Sequence, residues 1–76
     1  MRIFLDGYFA FFNRPRRGWL ELELTEPTPL EDVLARLGIP AAEIYLAVVN
    51  GQACSPKGLV VHPQDVVQLF PPIGGG

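Results

Sequence analysis

One segment of the chain, TPLEDVLARLG at residues 28–38, has the periodicity of an α-helix, and this segment constrains the possible folds most strongly. Its apolar residues recur at the i, i+3, i+4 and i+7 positions of a single helical face. The residues of this stripe are Leu30, Val33, Leu34 and Leu37. Thr28 is expected to be the N-cap, with Glu31 completing a capping box and Pro29 at the first helical position. Gly38 favours the left-handed conformation that ends a helix.

A helix of this length is only marginally stable alone, so the flanking segments must supply a surface on which it packs. Residues 2–9 are apolar nearly throughout and predict a strand, with Ile3 and Leu5 pointing inward. The segment WLELELT at 19–25 alternates leucine with glutamate, which predicts a strand with its leucines on the core face. The intervening NRPRRG at 13–18 predicts the turn that joins these strands into a hairpin.

Three further strands are predicted after the helix. Residues 44–49 predict a strong strand, and the Asn50-Gly51 pair favours a type I′ hairpin turn, in which both residues have positive φ. The segment LVV at 59–61 predicts a short strand, and residues 65–70 predict the last one before two prolines end it.

The order β-β-α-β-β-β predicts an α+β fold of the β-grasp (ubiquitin-like) type. It would have a mixed four- to five-stranded sheet with one main helix packed on one face. The first and last strands would lie side by side and parallel at the centre, because both are apolar on each face. The 76 residues are expected to form a single domain, 1–76, with a flexible C-terminal tail at 71–76. The predicted core is Leu20, Leu22, Leu24, Leu30, Val33, Leu34, Leu37, Val67 and Leu69.

The composition argues against several classes of partner and location. With a net charge of −2 and a pI of about 5.1, the chain lacks the basic surface that nucleic acid binding requires. No stretch approaches the length of a membrane span, and the first residues lack the features of a signal peptide. The single cysteine, Cys54, excludes an internal disulfide and fits a reducing compartment. A cytoplasmic protein is therefore expected.

No set of residues in the sequence suggests an active site. His62 is the only histidine, and it lies in a predicted turn without a second histidine or cysteine at metal-ligand spacing. Cys54 has no histidine near it in the sequence, which favours a small apolar filler over a nucleophile. The carboxylates are scattered, so no acid–base pair stands out. We therefore expect no metal, no bound cofactor and no catalysis by the chain itself.

The segment FPPIGGG at 70–76 favours a function in another protein's active site. Gly74, Gly75 and Gly76 have no side chain to offset the cost of ordering, so they are expected to be weakly ordered in the free protein. Residues without a Cβ can pass through a narrow channel, and an extended arm over 72–76 reaches roughly 17 Å. The tail is either a loose end or an arm that presents its terminal carboxylate to a second enzyme.

A surface for such an enzyme is predicted beside the tail. In a regular pleat Val67 and Leu69 point to the core and Phe70 points away from it. The neighbouring strand places further apolar side chains on the same outer face, and exposed apolar patches usually mark binding sites. The predicted partner-binding residues are Leu46, Val48, Phe70, Pro72 and Ile73. The alternative is that Phe70 simply folds against its own sheet.

Over its whole length the chain resembles the MoaD/ThiS family of ubiquitin-like sulfur carriers. The resemblance rests on the strand order, the VNG turn at 49–51, the segment HPQDVVQLFPP and the diglycine at 75–76. The ending PPIGGG is closest to the molybdopterin branch, whereas RLGIPAAEIYLAVVNG is closer to the thiamine branch. The chain departs from the family pattern at residues 62–64, where a glycine turn is usual, and in its aromatic-rich YFAFFN. The branch, and hence the acceptor of sulfur, stays open.

The resemblance implies that the chain is a carrier and not an enzyme. A ubiquitin-activating-type adenylyltransferase would bind ATP and magnesium and would adenylate the carboxylate of Gly76, with Gly74 and Gly75 entering its active site. A sulfur donor, often a persulfide, would then convert the adenylate into a thiocarboxylate. A sulfur-accepting synthase subunit would use this sulfur in cofactor biosynthesis, of the molybdopterin or the thiamine type.

Two alternatives to sulfur transfer stay open at the level of sequence. One is a ubiquitin-like modifier that is joined to lysines through Gly76. The other is a non-catalytic β-grasp interaction module without sulfur chemistry. The mass of the chain after exposure to an activating enzyme discriminates sulfur transfer from conjugation. The first leaves a thiocarboxylate and the second leaves isopeptide-linked conjugates.

Overall fold

The structure is a computed structural model, and it describes residues 1–6, 8–9 and 18–72. Its elements are β1 Arg2–Leu5, β2 Gly18–Glu21, β3 Thr28–Pro29, α1 Leu30–Leu37, a 3-10 helix Ala41–Glu43, β4 Leu46–Val49, β5 Gln52–Cys54, β6 Val60–Val61 and β7 Val66–Phe70. The predicted turn at 13–18 lies outside the described residues, apart from Gly18. Among the described residues, none of the helices has the length and apolar character needed to cross a membrane.

Five of the strands form one mixed sheet in the order β2-β1-β7-β4-β5. The first strand, β1, lies parallel to the last strand, β7, at the centre of this sheet, and the other pairs are antiparallel. This arrangement confirms the predicted α+β fold and its central parallel pair. A second, two-stranded sheet joins β3 to β6, with Thr28 opposite Val61. The sequence predicted neither β3 nor β5, because two or three residues are too few to show a period.

The hydrophobic core lies between α1 and one face of the large sheet. The helix contributes its predicted stripe, and the central strands contribute Ile3, Leu5, Val67 and Leu69, all fully buried. The prediction of Leu20 and Leu22 as core residues is only partly right, because both are half-buried and pack against the core from its margin. Leu20 lies in β2, an edge strand with a neighbour on one side only.

The helix begins differently from the prediction. Thr28 is not the N-cap: it pairs in β3, and its hydroxyl donates a hydrogen bond to the carbonyl of Glu26 at 2.9 Å. Pro29 is the residue before the first helical turn, and no side chain caps this end, so the capping box with Glu31 is wrong. The physical reason is a tertiary one, because the N–H of Leu30 donates to the carbonyl of Leu59 at 2.8 Å.

The end of the helix agrees with the prediction. Gly38 has a φ of 74°, in the left-handed region, and its N–H donates to the carbonyl of Ala35 at 3.2 Å. The N–H of Ile39 donates to the carbonyl of Leu34 at 3.0 Å. These two bonds satisfy carbonyl groups of the last turn, which is the usual role of a glycine after a helix.

The strand predicted at 19–25 ends early, at Glu21. β1 and β4 are also shorter than predicted, because their next main-chain hydrogen bonds are made to turns and not to a neighbouring strand. β1 ends at Leu5, and the N–H of Phe9 turns back to the carbonyl of Asp6 at 2.9 Å. β4 begins at Leu46 and not at residue 44, because the N–H of Ile44 still bonds the 3-10 helix through Ala41. The connections after β1 and before β4 therefore form turns.

The hairpin of β4 and β5 has the predicted turn. Asn50 has a φ of 52° and Gly51 a φ of 85°, so both turn residues are in the left-handed region. This is the geometry of a type I′ turn, whose twist matches that of the two strands it joins.

Candidate functional site

The outer face of the sheet, opposite the helix, carries the apolar residues that the sequence predicts there. In β7, Val67 and Leu69 are fully buried, whereas Phe70 is half-buried on the other face. Leu46 lies directly opposite Phe70 in the neighbouring strand, and Val48 lies one pleat further along β4. Leu46 and Val48 are half-buried and share this face with Phe70, as the alternation of the pleat requires.

A row of aromatic rings crosses the same face. The ring of Phe4 lies 5.4 Å from that of Trp19 and 6.4 Å from that of Phe70, measured between centroids. The guanidinium of Arg2 lies 4.7 Å from the centroid of Trp19, and its Nε is 3.5 Å from a carboxylate oxygen of Glu21. We call Trp19, Phe4 and Phe70 the aromatic row. Phe70 therefore both packs on its own sheet and contributes to an exposed apolar surface.

A groove of about 630 Å³ opens at one end of this row, beside the start of the tail. It is lined by Asp6, Tyr8, Tyr45, Leu46, Phe70 and the two prolines at 71 and 72. Because β1 and β7 are parallel and β4 is antiparallel to β7, the ends of β1 and β7 meet the start of β4 at one edge. We call this the tail-root groove.

Hydrogen bonds fix the walls of the tail-root groove. The hydroxyl of Tyr8 donates to Oε1 of Glu43 at 2.7 Å, and its backbone N–H donates to Oδ1 of Asp6 at 2.9 Å. The bond to Glu43, followed by desolvation and by the charge of Glu43, raises the pKa of Tyr8 above its usual value. Between two other lining residues, the N–H of Tyr45 donates to the carbonyl of Phe70 at 2.9 Å.

The groove brings together three of the predicted partner-binding residues, Leu46, Phe70 and Pro72. Val48 lies on the same face of the sheet but does not line the groove. The remaining predicted site residues, Ile73, Gly74, Gly75 and Gly76, lie outside the described residues.

Asp6, Tyr8 and Tyr45 were not predicted as residues of the site. The strands predicted at 2–9 and 44–49 extended over the two turns that carry these side chains. The Asp6-Gly7 pair is a turn signal that could have ended the first strand. Nothing local predicted that Tyr8 and Tyr45 would line the same groove, because 37 positions of sequence separate them.

The other candidate groups have contacts that belong to turns. Asp65 accepts hydrogen bonds from the N–H of His62 at 2.8 Å and from Nδ2 of Asn50 at 3.0 Å. Burial raises the pKa of Asp65, but the hydrogen bonds from Asn50 and His62 outweigh it, so the pKa lies below its ordinary value. The thiol of Cys54 donates to the carbonyl of Gln52 at 3.3 Å. Within the described ranges, no group of three His, Cys, Asp or Glu residues could hold a metal ion.

Comparison with known families identifies one relationship. The model of the ThiS family matches residues 9–76. Neither the curated proteins nor the solved structures contain a significant match. The family consists of small β-grasp carriers that work with enzymes of sulfur transfer and are not themselves catalysts. With its mixed five-stranded sheet, its single main helix and a family match over most of its length, the chain belongs to the ThiS family of sulfur carriers.

Proposed function

We propose that this carrier is a protein substrate whose reactive group is the α-carboxylate of Gly76. A ubiquitin-activating-type adenylyltransferase activates this carboxylate, and a sulfur donor converts it into a thiocarboxylate. The observation that carries the proposal is the family match, which extends through the glycines to Gly76. The tail-root groove supports it, because an apolar surface next to Pro72 is where an enzyme acting on the tail would dock.

The chemistry requires activation because a free carboxylate has no good leaving group. Its oxygen attacks the α-phosphate of ATP, pyrophosphate leaves, and the acyl-adenylate of Gly76 forms. The outer sulfur of a donor persulfide then bonds to the acyl carbon, and AMP departs with one of the original carboxylate oxygens, which leaves an acyl disulfide. A thiol then attacks the donor's sulfur in this disulfide, so the S–S bond breaks, a new disulfide forms between the thiol and the donor, and the thiocarboxylate is released. The net change is the replacement of one oxygen by sulfur. ATP and magnesium belong to the partner in this scheme, and the glycines supply a backbone thin enough to enter its active site.

The thiocarboxylate then serves as the sulfur source for a synthase subunit in cofactor biosynthesis. The ending PPIGGG favours an acceptor of the molybdopterin type, and the middle segment favours one of the thiamine type. The same outer face would meet the adenylyltransferase and the synthase in turn, because both must reach the same arm. Loading and delivery are therefore separate encounters.

Intact-mass spectrometry after co-expression with a candidate adenylyltransferase and a sulfur donor tests the proposal. The expected product is heavier by about 16 Da, the difference between sulfur and oxygen. A variant that lacks Gly74, Gly75 and Gly76 is the matched control, because it keeps the domain and the groove but loses the glycine arm that presents the carboxylate. Isopeptide-linked conjugates would instead establish a protein modifier. If the mass stays unchanged with an adenylyltransferase that does load its own carrier protein, both the sulfur-carrier and the modifier function are rejected.

A further inference from the structure

The turn between β4 and β5 contains an asparagine followed directly by a glycine, a pair with covalent chemistry of its own. The backbone nitrogen of the residue after an asparagine can attack the side-chain amide carbon, and glycine obstructs this attack least because it has no Cβ. Val49 pairs with Gln52, so Asn50 and Gly51 are the two loop residues, and both are exposed. Apart from its chain neighbours, no described atom lies within 4 Å of the position that a Cβ of Gly51 would take. The turn therefore holds both reacting groups in open surroundings.

The fold holds the side chain of Asn50 in a contact between two turns. Its Nδ2 donates to Oδ1 of Asp65 at 3.0 Å, and its Oδ1 accepts from the N–H of Val66 at 2.9 Å. The backbone N–H of Asn50 donates to the carbonyl of Val66 at 2.8 Å. We call these three bonds the turn–turn contact. It engages both the nitrogen and the oxygen of the amide, and so it fixes the carbon that the nitrogen of Gly51 would attack.

The type I′ turn opposes the attack as well. Ring closure requires the Cβ of Asn50 and the nitrogen of Gly51 to be nearly eclipsed about the Cα–C bond, and the type I′ geometry rotates them apart. The side chain must therefore leave Asp65 and Val66, and the backbone of the turn must rotate, before the new bond can form. This opening is local, because the side-chain bonds that must break are exposed and lie at turns outside the hydrophobic core.

We propose that Asn50 is a site of spontaneous deamidation, that the turn–turn contact protects it, and that opening of this contact exposes it while the core stays folded. In the open state the nitrogen of Gly51 bonds to Cγ of Asn50, and ammonia leaves with the side-chain nitrogen and the proton of the Gly51 amide. Water then hydrolyses the resulting succinimide at either of its carbonyls, which gives aspartate or isoaspartate at position 50. The reaction needs no enzyme, oxidant or cofactor, and the inference is independent of the proposed function.

The products cannot rebuild the turn–turn contact. An aspartate at position 50 lacks the Nδ2 donor and places its carboxylate against that of Asp65, so a hydrogen bond is replaced by repulsion between like charges. Isoaspartate also lengthens the main chain by one methylene, which disrupts the type I′ turn and the backbone bond to Val66. Each copy of the protein that reacts is therefore expected to become less stable.

The first experiment ages the purified chain at physiological temperature and neutral pH and follows Asn50 by peptide mapping. The tryptic peptide 37–57 contains this residue, and deamidation makes it heavier by about 1 Da. The internal reference is Asn13, the other asparagine of the sequence, which precedes an arginine. In concentrated urea Asn50 should react several-fold faster than Asn13, and several-fold faster than in the native protein. If Asn50 reacts no faster than Asn13 in urea, the proposal is overturned.

The second experiment separates local opening from global unfolding. Asp65→Ala removes the acceptor of Nδ2 and should speed the reaction of native Asn50 about tenfold, the factor that one hydrogen bond to a charged group is worth. Asp65→Asn keeps an oxygen acceptor and should give an intermediate rate. Leu34→Ala weakens the core but leaves the turn–turn contact intact, so its rate should stay close to that of the wild type. Val33→Ala replaces it if Leu34→Ala does not fold.

Circular dichroism spectra establish that each variant is folded during ageing. An unchanged rate in folded Asp65→Ala would overturn the proposal. A core variant that reacts as fast as Asp65→Ala would also overturn it, because the reaction would then proceed through global unfolding. Asn50→Gly tolerates the positive φ and has no amide, so peptide 37–57 should keep its mass. Asn50→Asp reproduces one product and should melt at a lower temperature than the wild type, and an equal melting temperature would reject the expected loss of stability.

Discussion

The hydroxyl of Tyr8 joins two connections that are 35 residues apart in the chain, the one after β1 and the one before β4. The protonated phenol donates this bond, and the bond to Glu43 raises the pKa of Tyr8 above its usual value. The side chain therefore links the two connections at one side of the tail-root groove. At the scale of single residues, the groove is maintained by such polar contacts around an apolar base.

Phe70 is expected to contribute both to the stability of the fold and to the binding of the partner enzyme. Phe70→Ala is expected to weaken binding to the adenylyltransferase by about 2 kcal/mol, the size of a hot-spot residue. Because the ring is half-buried and contacts Phe4, the free energy of unfolding should also fall by about 1 kcal/mol. Titration calorimetry and thermal melting followed by circular dichroism measure the two effects.

The control for Phe70 is Val66→Ala, which removes an exposed apolar side chain from the same strand and the same face. It lies at the other end of β7 from the groove, so it should leave binding unchanged. If Phe70→Ala lost stability but bound with the affinity of the wild type, the ring would serve the fold alone and the docking face would lie elsewhere.

The stability of the fold is expected to depend on pH through Asp65. Its pKa is lowered in the folded state, so its contribution to stability is present above the unfolded pKa, near 3.8, and is lost as the pH falls through the folded value. Asp65→Ala should lower the free energy of unfolding by about 1–2 kcal/mol at pH 7, because it removes the acceptor for Asn50 and His62.

Urea unfolding of the wild type and of Asp65→Ala, repeated between neutral and strongly acidic pH, checks this prediction. The difference between the two proteins should be constant above about pH 5 and shrink below it, since the wild type then loses its carboxylate. A difference that stayed constant down to acidic pH would show that the charge of Asp65 has no part in the effect.

At the scale of elements, α1 depends on its apolar stripe and not on a side-chain cap. Leu34 is 1% exposed in the centre of the core, so Leu34→Ala should lower the free energy of unfolding by about 2–5 kcal/mol. Urea unfolding of the purified variant measures this loss. A neutral result would mean that the helix does not pack on the sheet as the structure has it.

Glu31→Ala is the matched change on the exposed side of the same helix. It should alter the free energy of unfolding by less than about 0.5 kcal/mol, because Glu31 forms no capping bond. A loss of about 1 kcal/mol or more would show that Glu31 does form a capping bond, since that is the usual cost of removing a cap.

At the scale of the whole molecule, the parallel pair β1 and β7 places the root of the tail. It puts the end of the first strand beside the end of the last one, and the antiparallel partner β4 brings its start to the same edge. The groove is therefore a consequence of the topology. Any chain with this strand order brings its last strand's exit next to these two connections, and the side chains there decide what binds.

The described domain should unfold as a single cooperative unit, because one core joins the helix to the sheet. Trp19 fluorescence reports on the edge strand β2, and far-ultraviolet circular dichroism reports on the helix and the sheet as a whole. Urea transitions followed by the two signals should coincide in midpoint and slope. Separate transitions would show that the β1–β2 hairpin unfolds independently, which would contradict a single domain.

The sequence by itself determined the features that depend on local periodicity and turn chemistry. The helical stripe, the left-handed Gly38, the Asn50-Gly51 turn and the alternation that buries Val67 and Leu69 are all confirmed. Each depends on residues within a few positions of one another, so the backbone preferences of these residues and the burial of one face are enough to determine the local structure. These features, in their order along the chain, were enough to give the fold and the outer position of Phe70.

Only the tertiary structure decided where the elements end and which distant side chains meet. The helix begins at Leu30 because a carbonyl of residue 59 accepts its N–H, and this replaces the cap expected from Thr28. The groove exists because the strand pairing brings Tyr8 and Tyr45 into one lining, and no local pattern specifies this. Hydrogen bonds and contacts between residues far apart in the chain depend on how the sheet is assembled, so the site becomes visible only once the fold is complete.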